Sequence, residues 1–148
     1  MIYSKQFLTA TIPLLLIFSL AACQPSSQRD SVRKSDLVGT KWQLIKLTHQ
    51  SEVIEFSEDI APFIEFRDDL VGGNSGCNTY RSGWQLGQDG KFALSGPISQ
   101  TRKGCLNTVM GVENKYIDVF RESHTIVLSD DTLIISSTSG ELIFADAK

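Results

Sequence analysis

The three cysteines are the most reactive side chains in this sequence: Cys23, Cys77 and Cys105. Cys77 and Cys105 could form a structural disulfide, act as a redox pair, or supply half of a zinc site. Redox enzymes usually place two thiols in Cys-x-x-Cys at the start of a helix, a spacing that this sequence lacks. A zinc site would also need His49 and His124, and neither histidine has a spacing that brings it to the thiols.

Polar side chains flank the cysteine pair: Asn78, Tyr80, Thr101 and Arg102. They could form a recognition patch for a peptide, a glycan or a small amphiphile. Alternatively, Asn78 bonds the backbone of a turn, Tyr80 packs, and Arg102 pairs with an acid. Turns routinely use such side chains structurally, which favours the second interpretation.

The carboxylates offer no acid/base pair. Asp68-Asp69 and Asp130-Asp131 are adjacent residues in predicted turns, so their side chains should diverge. We therefore predict no catalytic residues, no metal and no cofactor, and expect no enzyme.

The first 22 residues resemble a secretory signal peptide, and Leu20-Ala21-Ala22-Cys23 resembles the bacterial lipobox. This resemblance implies a lipoprotein that begins at Cys23 and is held in a membrane by two or three acyl chains, palmitate among them. The alternative is an ordinary Ala-x-Ala signal with a spare thiol. In a Gram-negative host, Gln24 after the cysteine implies the outer membrane, with the domain facing the periplasm.

Export changes the interpretation of the remaining thiols. In an oxidising envelope, Cys77 and Cys105 most often form a disulfide. Closing that loop would stabilise the domain by about 3 to 4 kcal/mol in the chain-entropy model. Removal of 1–22 takes away Lys5 and leaves 13 basic and 17 acidic side chains, a net charge of −4, which gives no reason to expect nucleic acid as a partner.

Composition divides the exported chain into a tether and one domain. Residues 23–36 are rich in Ser, Gln and mixed charges and predict a flexible tether of about 20 Å root-mean-square reach. The β-branched and aromatic residues of 37–47 predict a strand, with a β-bulge or two covered faces because apolar alternation breaks after Leu44. Short strands are expected at 53–56 and 63–67.

The glycine-rich stretch 72–84 predicts a tight corner, where glycines permit positive φ angles and close backbone approaches. It leads into a hairpin in which Tyr80, Ser82, Trp84 and Leu86 share a face, and Phe92, Leu94 and Ile98 continue the apolar face after a turn at 87–90.

One amphipathic helix follows the second cysteine, with an apolar stripe and a cap at Asn107 or Thr108. The stripe consists of Val109, Val112, Tyr116, Val119 and Phe120. Strands are expected at 125–128, 133–137 and 142–145. The fold class is therefore α+β: a strongly curved, mostly antiparallel, barrel-like sheet of about eight strands with one amphipathic helix, over 37–148.

Three motifs occur in the order and spacing of a known family: Gly39-Thr40-x-Trp42-x-Leu44, Gly76-Cys77-Asn78-x-Tyr80 and Thr101-Arg102-x-x-Cys105. On these residues the chain resembles the META domain, the family of the heat-shock lipoprotein HslJ, over 37–145. The sequence departs from the family pattern at Arg81, which shifts the following Ser-Gly by one residue, and at Lys103-Gly104. The resemblance implies a role in envelope stress and antibiotic tolerance, without a settled biochemical activity.

The hypothesis that combines these observations is a noncatalytic envelope lipoprotein with a binding or structural role. Its partners would be the membrane, through lipid on Cys23, and an envelope protein, a peptide or a small apolar ligand. One alternative is a carrier whose curved sheet encloses a cavity lined by Trp42, Phe66, Trp84 and Phe92. Another is a thiol/disulfide or hydrolytic enzyme.

Overall fold

The structure is a computed structural model, and it describes residues 31–60 and 62–147. The predicted signal peptide, Cys23 and most of the tether lie outside this range. Two α-helices, a 3-10 turn at Gln88–Gly90 and ten strands make up the domain. The helices are α1 (Lys34–Leu37) and α2 (Asn107–Arg121), and the strands are β1 (Lys41–His49), β2 (Glu52–Ile54), β3 (Phe63–Phe66), β4 (Leu70–Asn74), β5 (Thr79–Leu86), β6 (Phe92–Leu94), β7 (Ser99–Gln100), β8 (Ser123–Ser129), β9 (Thr132–Ser137) and β10 (Gly140–Asp146).

Eight strands follow one another in the order β6-β5-β4-β3-β1-β10-β9-β8, and all their pairings are antiparallel. Short β2 pairs with β1, and short β7 pairs with β5. A single bridge between Lys91 and Thr125 joins the two ends of this path. The sheet is thus a nearly closed barrel with one main helix, which confirms the predicted fold class.

Helix α2 packs its apolar stripe into the barrel. Tyr116, Val119 and Phe120 are fully buried, and the Phe120 ring lies 5.1 Å from that of Tyr80. On β5, Tyr80, Ser82 and Trp84 are buried at every second position, as the alternation predicts. The barrel interior is therefore filled by side chains of the sheet and the helix.

The irregular alternation in β1 comes from a β-bulge. The pairing of β1 with β10 shifts between Leu44 and Lys46, which confirms one of the two predicted explanations. Trp42 and Leu44 point inward before the bulge and Leu47 points inward after it, whereas Ile45 is 56% exposed.

The glycine-rich stretch is only partly a corner, and the prediction was wrong for its first residues. Gly72 and Gly73 belong to β4, a strand that the sequence did not predict. A Cβ on Gly73 would lie 2.0 Å from the carbonyl oxygen of Phe63 on the neighbouring strand. These glycines therefore permit close strand packing, and the chain turns afterwards at Gly76, whose φ is +125°.

Other element boundaries also differ from expectation. Leu37, whose side chain is fully buried, ends α1 instead of starting β1, and α1 begins at Lys34, within the predicted tether. Helix α2 has Leu106 at its N-cap, without a capping side chain, instead of Asn107 or Thr108. Strand β6 ends at Leu94, before Ile98, and β7 was not predicted. Two residues are too short a segment to show a periodic pattern.

Candidate functional site

The predicted cysteine pair forms the covalent centre of the site. Cys77 and Cys105 are joined by a disulfide, with their Cα atoms 6.0 Å apart. Cys77 is 7% exposed in the turn before β5, whereas Cys105 lies in an exposed loop just before α2. The bond therefore ties the loop that leads into α2 to the turn between β4 and β5.

A buried carboxylate holds the same turn from the helix side. Glu113 is 6% exposed, and its Oε2 accepts hydrogen bonds from Ser75 Oγ at 2.8 Å and from the backbone nitrogens of Cys77 and Asn78 at 3.2 and 2.6 Å. Its Oε1 accepts from Asn78 Nδ2 at 2.7 Å. Four donors thus fix one carboxylate.

The ionisation of Glu113 follows from these contacts. Burial by itself raises the pKa of a carboxyl group, but the hydrogen bonds from Asn78, Ser75 and Cys77 outweigh it and lower the pKa of Glu113 below its ordinary value. The group is therefore a fixed anion at neutral pH. A proton acceptor already saturated by four donors is a poor general base.

The apolar stripe predicted for the helix did not include Glu113, yet Glu113 is buried together with that stripe. Position 113 lies four residues after Val109 and three before Tyr116, so helical spacing puts it within the stripe. An acid within an apolar stripe is a signal for a buried, hydrogen-bonded carboxylate. That spacing could have identified Glu113 from the sequence.

Asn78 connects the turn to the loop that carries the second cysteine. Its Oδ1 accepts hydrogen bonds from Thr101 Oγ1 at 2.8 Å and from the backbone nitrogen of Lys103 at 2.7 Å. Lys103 contributes through its backbone, so the departure from the family pattern at this side chain leaves the contact intact. The side chain of Asn78 therefore bonds the loop at 101–103 and Glu113, whereas the structural interpretation had expected it to bond the backbone of its own turn.

Tyr80 packs inside the barrel, as the structural interpretation expected. Its hydroxyl group lies 2.5 Å from that of Tyr116, and both rings are buried. Burial raises the pKa of both phenols, because the charged form would lose its hydration. Both hydroxyls therefore stay protonated at neutral pH.

Arg102 differs from the structural interpretation. Among the described residues no carboxylate forms an ion pair with it, and its side chain is exposed. Every residue of the segment 101–106 is exposed, and Leu106 is 76% exposed. We call this segment the disulfide loop. Asn78 contacts Thr101 and the backbone of Lys103, and Cys77 is bonded to Cys105, while Arg102, Lys103 and Leu106 are exposed to solvent.

Arg81, where the family pattern is shifted, lies on the outer face of β5. It is exposed between buried Tyr80 and buried Ser82, so the alternation of the strand is undisturbed. The shift therefore does not alter the side chains that reach the corner.

Three of the four aromatic residues proposed to line a ligand cavity pack against other rings. Phe66 and Trp84 meet edge to face with ring centroids 5.1 Å apart, and Trp84 lies 6.1 Å from Phe92. Trp42 is 4% exposed in the same core, and its Nε1 donates to Thr40 Oγ1. All four side chains are buried in the core.

The histidines do not converge on the sulfur atoms. His49 Nε2 lies 3.9 Å from Asp118 Oδ2 near the end of α2, and His124 is exposed on β8. In the part of the chain that the structure describes, no group of three metal-binding side chains comes together.

None of the helices described there has the length and apolar character that crossing a bilayer requires.

Comparison with known proteins identifies the class. The family model of the META domain matches residues 35–148, so the chain belongs to the META domain family. The resemblance noted in the sequence is thereby confirmed. No curated protein matches this chain.

Solved structures agree with the fold. The NMR structure of a protein from Burkholderia xenovorans is similar, with a TM-score of 0.67, 19% identity and coverage of 93% of this chain and 99% of that one. A crystal structure of a DUF4847 family protein from Bacteroides vulgatus gives a TM-score of 0.56 and 13% identity, covering 76% of this chain and 95% of that one. At these identities the likeness concerns the fold. Neither the META domain family nor these solved proteins carry a name that indicates a catalytic activity.

Proposed function

We propose that this META-domain protein is a lipid-anchored, noncatalytic component of the cell envelope that acts by binding a partner. The observation that carries the proposal is that buried and exposed side chains around the disulfide differ in their contacts. The buried polar atoms of Asn78 and Glu113 bond within the corner, whereas the disulfide loop presents Arg102, Lys103 and Leu106 to solvent. A rigid exposed loop loses little conformational freedom on binding.

The corner offers little to a catalytic mechanism. Both thiols are in one disulfide, the carboxylate is saturated, and the two phenols hold their protons. Nucleophilic catalysis needs a free nucleophile next to a base. The corner supports a binding role better than a hydrolytic or redox one.

The anchor is tested by mass spectrometry of the mature protein from a Gram-negative host. We expect an N-terminal Cys23 that carries diacylglycerol and a further acyl chain, and membrane recovery that is lost in Cys23→Ser. Recovery of unmodified Cys23 in the soluble fraction would refute the anchor.

A role in stress tolerance is tested separately by complementation. A strain that lacks the gene should regain antibiotic or heat tolerance with the wild-type gene but lose most of it with Arg102→Glu. Arg81→Glu is the matched control, because Arg81 is exposed on the outer face of β5 and, like Arg102, forms no ion pair among the described residues. Equal rescue by Arg102→Glu and wild type would exclude the disulfide loop as the binding surface.

A further inference from the structure

A second surface lies on the outside of the barrel, away from the disulfide loop. A groove of about 430 Å³ runs between β1, β2 and the segment that follows β2. Its apolar lining includes Ile45, Val53 and Phe56. Ile45 is 56% exposed and Val53 is 49% exposed, so two of the five large hydrophobic side chains that are exposed in the described chain lie here. We call it the β1–β2 groove.

The groove arises from the bulge in β1 and from a break in strand pairing. The bulge turns Ile45 outward, since Leu44 and Leu47 both point inward. On this side of β1, β3 pairs with Lys41–Gln43 and β2 pairs with Leu47–His49. Within the described strands, Ile45 and Lys46 have no partner strand there, and the chain leaves an open depression beside them.

The rim of the groove is acidic. Glu55 and Glu58 line it, and Glu52 and Asp59 lie close by in sequence. All four are exposed, and the segment 50–60 contains no Lys or Arg. None of the four forms an ion pair among residues 31–60 and 62–147, and Lys46 is the single basic residue that lines the groove.

From this combination we infer that the β1–β2 groove binds a basic amphipathic peptide segment of an envelope partner. An aliphatic or aromatic side chain of the peptide would cover Ile45, Val53 and Phe56, and flanking Lys or Arg side chains would face Glu55 and Glu58. Exposed apolar surface beside unpaired charge of one sign favours a ligand with apolar groups and the opposite charge. An anionic lipid surface would be repelled by the same rim.

The inference rests on the proposed binding role and names the class of partner, but it concerns a different surface. Its test needs neither the lipid anchor nor stress tolerance. A failure of the peptide assay would therefore leave the results for Cys23 and Arg102 unchanged, and the reverse also holds.

The test is a titration of the full chain, in a non-ionic detergent, with the fluorescent peptide Lys-Arg-Leu-Phe-Lys-Lys, followed by anisotropy. Glu55→Lys should weaken binding by about tenfold, because it reverses the charge on the rim. Asp68→Lys makes the same charge change at an exposed site elsewhere and should change binding by less than about twofold. A peptide with Glu in place of every basic residue should not bind.

The apolar contribution of the groove is tested with Ile45→Ser, which should weaken peptide binding by about fivefold. Val127→Ser, at an exposed position of β8, is the control. Equal loss in Glu55→Lys and Asp68→Lys would overturn the proposal, since it would indicate general attraction to an acidic protein. Sedimentation of the free chain provides another check. A dimer that Glu55→Lys dissociates would also overturn the proposal, because the groove would then bind a second copy of the chain.

Discussion

Glu113 carries a negative charge into the interior, and within the described chain no Lys or Arg forms an ion pair with it. Removing such a charge from water costs several kcal/mol, and hydrogen bonds to the ionised form must offset that cost. Two backbone nitrogens, a hydroxyl and an amide do so here. The carboxylate thereby fixes the conformation of the turn at 75–78.

Glu113→Gln should lower the free energy of unfolding by about 2 to 4 kcal/mol. Glutamine keeps one acceptor oxygen, but its amide nitrogen would face Asn78 Nδ2, which is also a donor. Asn78 cannot turn over without losing the bonds that its Oδ1 accepts from Thr101 and Lys103. Urea unfolding measures the change.

The control for this substitution is the double variant Glu113→Gln with Asn78→Asp. The double variant moves the negative charge from position 113 to position 78. The glutamine amide nitrogen at 113 can then donate a hydrogen bond to a carboxylate oxygen at 78. We expect it to be more stable than the sum of the two single changes predicts, by about 1 kcal/mol or more. Strict additivity would show that the geometry around Asn78 does not cause the loss.

Acid should weaken the corner through the same group. The hydrogen bonds that Asn78, Ser75 and Cys77 donate lower the pKa of Glu113 from its ordinary 4.5 in spite of burial. A pKa depressed on folding gives stability that is fully present above the unfolded pKa and is lost as pH falls through the folded pKa. Below pH 4.5 the difference in unfolding free energy between wild type and Glu113→Gln should therefore shrink. A difference that stays constant to pH 2 would contradict this linkage.

At the scale of elements, the disulfide joins the turn before β5 to the loop before α2. Replacing both cysteines with alanine should reduce the free energy of unfolding by about 3 to 4 kcal/mol, because the unfolded chain loses a closed loop. Unfolding of the wild type in a reductant should match that of the double variant in air. A reduced wild type as stable as the oxidised one would exclude a stabilising role for the bond.

Two glycines in different elements should respond to alanine with opposite signs. Gly73→Ala in β4 should cost about 2 kcal/mol or more, since the new Cβ would lie 2.0 Å from Phe63 O and a strand must move. Gly111→Ala in α2 meets no neighbour within 4 Å and should stabilise by about 1 kcal/mol through helix propensity. Thermal unfolding of both variants gives the comparison. A loss of stability in both would contradict the expectation that Gly111→Ala stabilises α2.

At the scale of the whole molecule, the barrel has one weak seam. Seven residue pairs join β1 to β10, whereas one bridge, Lys91 with Thr125, closes the path. Gly90→Ala should open this seam, since Gly90 has φ +72° and its Cβ would lie 2.4 Å from Ile126 O. Hydrogen exchange should then accelerate in β8 by about tenfold or more while β1 and β10 stay protected. Gly96→Ala, which meets nothing within 4 Å, is the control. Equal acceleration in β1 would indicate global unfolding instead.

The sequence by itself predicted the antiparallel α+β class, the buried face of β5 and the disulfide partners, and it gave the bulge in β1 as one of two explanations. Each depends on local periodicity, or, for the disulfide, on there being two thiols in the domain that the sequence predicts to be exported. Only the tertiary structure showed that Gly72 and Gly73 lie in a strand, that Glu113 accepts hydrogen bonds from the turn at 75–78, and that Ile45 and Val53 share a groove with unpaired acids. These features depend on which segments, far apart in sequence, approach one another in space. Local sequence patterns do not encode those approaches.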